Sequence, residues 1–354
     1  MAVLPVQPPG FILLKTSLSL FKGLKMKNHK FIKAVVFTLS VLAVTAGFIS
    51  CEDEVSGSGY AEWAGVRCSP YGWKVDGKRQ YPSESTLKSY VNKIRSFYNK
   101  DEAAGSRGVV VLIVGTVSEE DDYSCSLGFP NKYPDGHEKA GTQIASFSKG
   151  KTGAGFRDED RYDSYLSALD GTDIDVWLQV ESGFADIVKL AKVVMNRYQN
   201  HPCVKGFGVD VEWYQNTTDG QPGVPLTDTV AKNVDDAVKA VNTEYSVFVK
   251  HWETGYLPPS YRGVNNDMVF VTDSQGFGNI GTAKSHYRQW AEHYDPNPVF
   301  FQIAYDDDEG LWKNLDRPLA DYGSEILTSI EDSSQKRGIV WVDFTFIDAY
   351  NMSK

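Results

Sequence analysis

The sequence predicts an α/β protein, a single (β/α)8 barrel (TIM barrel) over residues 60–354. Three observations carry this. Eight short apolar runs recur along the body, one-sided apolar stripes at helical period lie between them, and the length suits one barrel of about 250 residues with insertions.

The strand-like runs are 61–68 (AEWAGVRC), 108–116 (GVVVLIVGT), 174–180 (IDVWLQV), 206–213 (GFGVDVEW), 246–252 (SVFVKHW), 268–273 (MVFVTD), 299–305 (VFFQIAY) and 338–344 (GIVWVDF). Helical stripes follow. Leu87, Tyr90, Val91, Ile94 and Phe97 form the first; Ile187, Leu190, Ala191, Val194 and Tyr198 the next. Val230, Val234, Val238 and Val241 repeat the pattern, as do Ala283, Tyr287, Trp290, Ala291 and Tyr294, and then Leu319, Tyr322, Ile326 and Ile330. Each stripe is the buried face of an amphipathic helix. A weaker helix is expected around Tyr162–Leu169. The last run ends so near the C-terminus that the eighth outer helix is either missing or supplied by other elements. An open doubly wound sheet is the alternative, but no Gly-rich phosphate loop follows the first strand.

Composition narrows function. The chain has 354 residues, a net charge of −10 and 13% aromatics. Residues 1–51 hold six lysines and no acid, and without them 30 basic residues face 46 acidic ones, a net of −16. Such a body offers no footprint for nucleic acid and repels anionic substrates, but not neutral ones.

Residues 26–50 read as a secretory signal: basic Met26–Lys33, then uncharged apolar Ala34–Ser50. Phe-Ile-Ser-Cys resembles a lipobox with Phe48 in place of the usual Leu, which implies lipidation at Cys51 and a bacterial membrane anchor at the periplasmic or cell-surface side. A single membrane-spanning helix is the alternative, although a run of 17 is short for one. Residues 1–25 then form an upstream, non-native extension, 51–59 a tether, and 60–354 the barrel. Cys68, Cys125 and Cys203 cannot all pair with one another, and no zinc-type spacing occurs. No metal or cofactor is implied, and nothing signals an oligomeric state.

In a barrel, functional groups gather at the C-terminal strand ends. The fourth run, 206–213, alternates Phe207, Val209 and Val211 with Gly208, Asp210 and Glu212. The apolar set suits the helix layer, so the other set points inward. Two carboxylates about 7 Å apart at Cα then share the mouth, and one takes a raised pKa fit for a general acid. A barrel-lining ion pair of Asp210 with Lys250 is the structural alternative.

This segment resembles the fourth-strand signature Asp-x-x-Asp-x-Asp-x-Glu of family 18 glycoside hydrolases, the chitinases and endo-β-N-acetylglucosaminidases. Glu212 and Asp210 match its last two acids. Lys205 and Gly208 stand where the first two acids would be. Leu178–Gly183 is similar to the family's third-strand motif, and Gly338–Phe344 to its last strand. The resemblance implies a (β/α)8 barrel cleaving β-linked N-acetylglucosamine glycans with retention. Glu212 would protonate the glycosidic oxygen, the substrate's acetamido group would attack, and Asp210 would orient that group. Tyr305 would hold the acetamido oxygen, and Trp341 would floor the sugar subsite. Replacement of the middle acid by Gly208 would weaken or abolish catalysis.

Glu181, Lys250, His251, Asp273, Gln302, Asp306 and Asp343 stand at or past predicted strand ends, with Trp213 and Trp252. Polar groups there suit sugar hydroxyls and aromatic rings suit apolar sugar faces. Trp177 reads as core. The Ser118–Asp158 excursion is a long loop, His137 a surface residue, and Asp306–Glu309 a solvated acidic loop rather than a calcium site. Two other functions compete: a non-catalytic glycan-binding lipoprotein, and a barrel glycosidase using two protein carboxylates, Glu212 with Glu181 or Asp343.

Overall fold

A computed structural model describes residues 60–75, 78–99, 105–118, 123–331 and 334–354. The expected signal, Cys51 and tether lie outside these. Among the described residues no helix is long and apolar enough to cross a membrane.

The strands are β1 (Trp63–Cys68), β2 (Trp73–Val75), β3 (Lys78–Gln80), β4 (Arg107–Val117), β5 (Tyr123–Leu127), β6 (Gly150–Phe156), β7 (Ile174–Val180), β8 (Val204–Asp210), β9 (Ser246–Lys250), β10 (Val269–Thr272), β11 (Val299–Ile303) and β12 (Arg337–Trp341). β1, β4 and β7–β12 pair in parallel in the order β1-β12-β11-β10-β9-β8-β7-β4, and β1 pairs with β4 as well as β12, which closes the barrel. The eight barrel strands coincide with the eight apolar runs of the sequence.

The outer helices are α1 (Glu84–Arg95), α2 (Asp163–Leu169), α3 (Ile187–Tyr198), α4 (Asp228–Lys239), α5 (Ile280–Tyr294), α6 (Glu309–Trp312), α7 (Pro318–Leu327) and α8 (Asp343–Met352). Side chains at N-caps fix four of the starts. Ser83 accepts from Thr86 N–H, Asp186 from Val188 and Lys189, Thr227 from Val230 and Asn279 from Thr282, each satisfying donors that the first helical turn leaves open. After β9 two 3-10 turns, Thr254–Tyr256 and Val264–Asn266, replace a helix. The eighth outer helix is present. The last strand stops at Trp341, two residues earlier than needed for Asp343 to be a strand residue, and Asp343 opens α8.

The 118–158 excursion is not a bare loop. β5 pairs antiparallel with the end of β4, and β6 runs parallel to β5. His137 within it is buried, stacked 4.3 Å from the Tyr133 ring, with Nε2 2.5 Å from Gln199. It is not a surface residue, because this excursion folds back onto the end of α3.

The barrel interior is apolar below and polar above. Trp63, Val109, Val111, Trp177, Phe248, Val269, Val271, Phe300 and Val340 fill the lower and middle layers. Trp63, Trp177 and Phe300 meet edge to face, with centroids 5.3–5.7 Å apart. Trp63 Nε1 donates to Asp175, which Arg107 clamps through Nε and Nη2. Trp177 is core, its indole N–H donating to Ser246 Oγ.

Alternation also accounts for Gly208. It faces inward opposite Phe248 in the β8–β9 register, and a Cβ there would lie 2.1 Å from the Phe248 ring. Gly208→Ala therefore overpacks the barrel. It should lower stability by about 1–3 kcal/mol, read as a lower denaturant midpoint, and a Gly208→Ala, Phe248→Leu double variant should recover part of the loss.

Candidate active site

The inward positions at the C-terminal strand ends form one polar layer: Arg67 on β1, Gln179 at the end of β7 and Glu181 just past it, Asp210 on β8, Lys250 on β9, Asp273 after β10 and Gln302 on β11. All but Arg67 are buried below 9% relative exposure. Lys250 Nζ lies 2.9 Å from Asp210 Oδ2 and 2.6 Å from Asp273 Oδ2. Gln179 Nε2 donates to Asp210 Oδ2 over 3.1 Å. Tyr305 O–H donates to Gln302 Oε1 at 2.7 Å.

Glu212 is not on the strand. β8 ends at Asp210, and Val211–Trp213 form a 3-10 turn closed by Tyr214 N–H to Val211 C=O. The reason lies in the loop that follows. Asn216 shares its side-chain N–H groups among the carbonyls of Glu212, Thr218 and Gln221, while its Oδ1 accepts from Thr218 N–H. Gly223, at φ 72°, passes so close that a Cβ would sit 2.2 Å from Val211 C=O. The chain thus folds back under the turn and holds Glu212 half-buried at the mouth. The Asn216 amide thus serves the fold from inside the loop.

Electrostatics divide the carboxylates. Burial first, and the Asp210 charge second, push Glu212 up to about 8; Lys250 pulls the other way. Burial and Asp210 also raise Glu181, to about 7, against Lys250 and Arg67. Asp210 is raised by burial, with Lys250 the largest opposing influence. Lys250 stays charged, since Asp210 and Asp273 overcome its burial. Burial raises the Tyr305 hydroxyl, which remains a donor. His251 is neutral, because burial lowers it. Its Nδ1 accepts from Glu253 N–H, so Nε2 is assigned the proton and donates to Pro222 C=O. His251 stacks between Trp252, at 4.1 Å, and Tyr256, at 4.3 Å, which fixes the half-buried Trp252 ring.

Four buried polar atoms of this layer have no hydrogen-bond partner: Gln179 Oε1, Asp210 Oδ1, Asp273 Oδ1 and Gln302 Nε2. Buried polar groups are normally satisfied, so a cluster of open ones marks a place for a polar ligand or water.

The structure thus brings Asp210, Glu212, Glu181, Lys250, Asp273, Gln302 and Tyr305 to one end of the barrel, with Trp252 and Trp213 half-buried beyond it. It does not bring Trp341. Val340 takes the inward position, so Trp341 points into the helix layer, fully buried, 5.8 Å from Trp312 and 6.4 Å from Tyr322. Lys250 is engaged by two carboxylates rather than open to a sugar. Asp343 is tied to Arg67 at 2.8 Å, and to Ser69 through its N–H and hydroxyl. Asp308 is not solvated: it is buried, accepts from Phe277 N–H, and is pushed up to about 6 by burial. Among the described residues no group of His, Cys, Asp or Glu is placed to hold a metal. Sequence reading missed Arg67, Gln179, Asn216 and Phe184, an exposed aromatic just past Glu181. Continuing the alternation back along β1 and β7 would have found the first two.

No family model and no curated protein matches the chain. Among solved structures it is similar to a β-glucuronidase of Parabacteroides merdae, with 10% identity, a TM-score of 0.38, and coverage of 79% of this chain and 31% of that one. It is also similar to a Bacteroides uniformis β-glucuronidase, with 10% identity, a TM-score of 0.40, and coverage of 78% and 30%. The chain spans less than a third of the length of either protein.

A raised Glu212 links stability to pH. Between the ordinary Glu value of 4.5 and about 8, the folded state holds a proton that the unfolded state has released. Stability therefore falls as pH rises through that window and levels off above it. Glu212→Gln should flatten this slope and raise stability on the alkaline side by on the order of 1–3 kcal/mol, allowing for partial solvent access. Thermal melts across pH, native against variant, check it.

Proposed function

We propose that this chain is a glycoside hydrolase-like barrel acting on β-linked, N-acetylglucosamine-containing glycans. The observation that carries the reading is Glu212: a carboxyl protonated near neutral pH, at the C-terminal mouth, beside a second carboxylate. A protonated acid of this kind can deliver a proton to a glycosidic oxygen. Asp210 keeps one bare acceptor, Oδ1, which an acetamido N–H would satisfy. Tyr305 stands near enough to share the electrostatics of Lys250, Asp273 and Asp210. The proposed route is retaining, with the substrate's own acetamido oxygen as nucleophile, an exception to the usual scheme of two protein carboxylates. Partly exposed Trp213 and Trp252, beside the turn, offer apolar surface for sugar faces.

A second reading has its own support. Phe248 fills the space where family 18 enzymes carry the middle acid, and Asp210 is engaged by Lys250 and Gln179. A barrel so altered would bind glycans without cutting them. Glu181, also raised into the neutral range, supports a third, in which two protein carboxylates do the chemistry. The lipobox-like segment ending at Cys51 supports placement of the barrel on a bacterial membrane by a lipid anchor.

Chitin oligomers separate these readings. Release of reducing ends should fall about 10²–10⁴-fold in Glu212→Gln, and a thiazoline mimic of the acetamido intermediate should inhibit the native protein. Equal release by native protein and variant sinks Glu212 as the acid. Binding without release by either supports the binder, and release that resists the thiazoline supports the pair of protein carboxylates.

A further inference from the structure

Lys250 occupies an unusual place. It is an ammonium 2% exposed, inside a barrel, at the Asp210 position of the β8–β9 register. Two residues earlier on the same strand, Phe248 faces Gly208. One strand therefore does two things to its neighbour: its ring closes the space above Gly208, and its ammonium meets the acid that follows. Lys250 Nζ takes one oxygen of Asp210 and one of Asp273. Gln179 adds a second bond to that same Asp210 oxygen. The other oxygen of each acid, Oδ1, is buried and bare.

We infer that Lys250 is a positioning residue: it holds Asp210 as an anion, turned so that Oδ1 alone faces the mouth, in place of the acid that Gly208 cannot supply. A carboxylate fixed by one oxygen presents a single, directed acceptor. An N–H or O–H donor fits it, and a ligand anion does not. Without the ammonium, burial beside Glu212 and Asp273 would drive Asp210 to its neutral form, which can offer a proton instead of accepting one. The charged and titratable groups around the pair are Glu212 in the turn, Asp273 after β10, Tyr305 after β11, Glu181 after β7 and Arg67 on β1, with neutral His251 next to Lys250. The role assigned to Asp210 rests on the glycosidase reading; its protonation does not.

The test follows Asp210 by infrared spectroscopy, where a neutral carboxyl and a carboxylate absorb separately. Bands are assigned by their loss in Asp210→Asn, and Glu212→Gln identifies the neighbouring acid. In the native protein the Asp210 band should be that of a carboxylate at neutral pH. Lys250→Met should raise its midpoint by about two pH units or more, and Lys250→Arg should keep it within about one unit of native. Asp273→Asn, which removes a like charge and leaves the ammonium to Asp210, should lower it. An Asp210 that is neutral in the native protein, or a midpoint unmoved by Lys250→Met, overturns the proposal. Should Lys250→Met fail to fold, Lys250→Gln, which keeps a polar donor and loses the charge, decides: a raised midpoint supports the proposal, and an unchanged or lower one overturns it. The measurement needs no turnover, so a chain that cuts no glycan refutes the glycosidase reading while this result still stands.

Discussion

The polar upper layer of the barrel depends on one buried ammonium. Acids approach one another there from β8, the turn after it and the end of β10, in a medium where like charges repel strongly. Lys250 is the cation set between two of them, and Arg67 answers Asp343 on the far side. Removing a partner from such a group leaves an uncompensated charge in the interior, which costs far more than the pair contributes. The fold therefore tolerates this layer only as a set, which is why most of its members are both buried and bonded.

The lower half of the same interior follows a different logic. Trp63, Trp177 and Phe300 fill it by ring packing, and its one buried acid, Asp175, is clamped by Arg107 and capped by the Trp63 N–H. Nothing in that clamp is left open. The upper layer instead leaves four polar atoms unsatisfied. The two ends of the barrel therefore differ: the Asp175 clamp at the base is bonded throughout, and the mouth keeps polar atoms that a ligand or water could satisfy.

Most of the fold was legible because it rests on period. Eight apolar runs and the stripes between them report which side of each element is buried, and burial is what closes the barrel. Inward and outward sets on β8 followed from the same rule, so Gly208 and Asp210 fell where alternation puts them. Legibility failed where the chain leaves regular structure. The strand geometry assumed for Glu212 ended two residues too soon, because a loop held by Asn216 pulls the chain into a turn. Trp341 was misplaced by following a motif, when its neighbour Val340 already held the inward face. Asp343 and the excursion after β4 were misread for a related reason: a helix start and a strand pairing are decided by distant partners, Arg67 and Ser69 in one case and the end of β4 in the other.

Asn216 holds the bend beneath Glu212 with donors that an aspartate would lack. In the native fold the amide is enclosed and shielded from hydrolysis. In a heated, unfolded chain it is not. Each deamidated molecule would return with an anion pressed against three carbonyl oxygens, unable to rebuild the bend. Among the asparagines of the chain, this is one whose chemical loss on heating would be felt at the mouth of the barrel, where the bend carries Glu212.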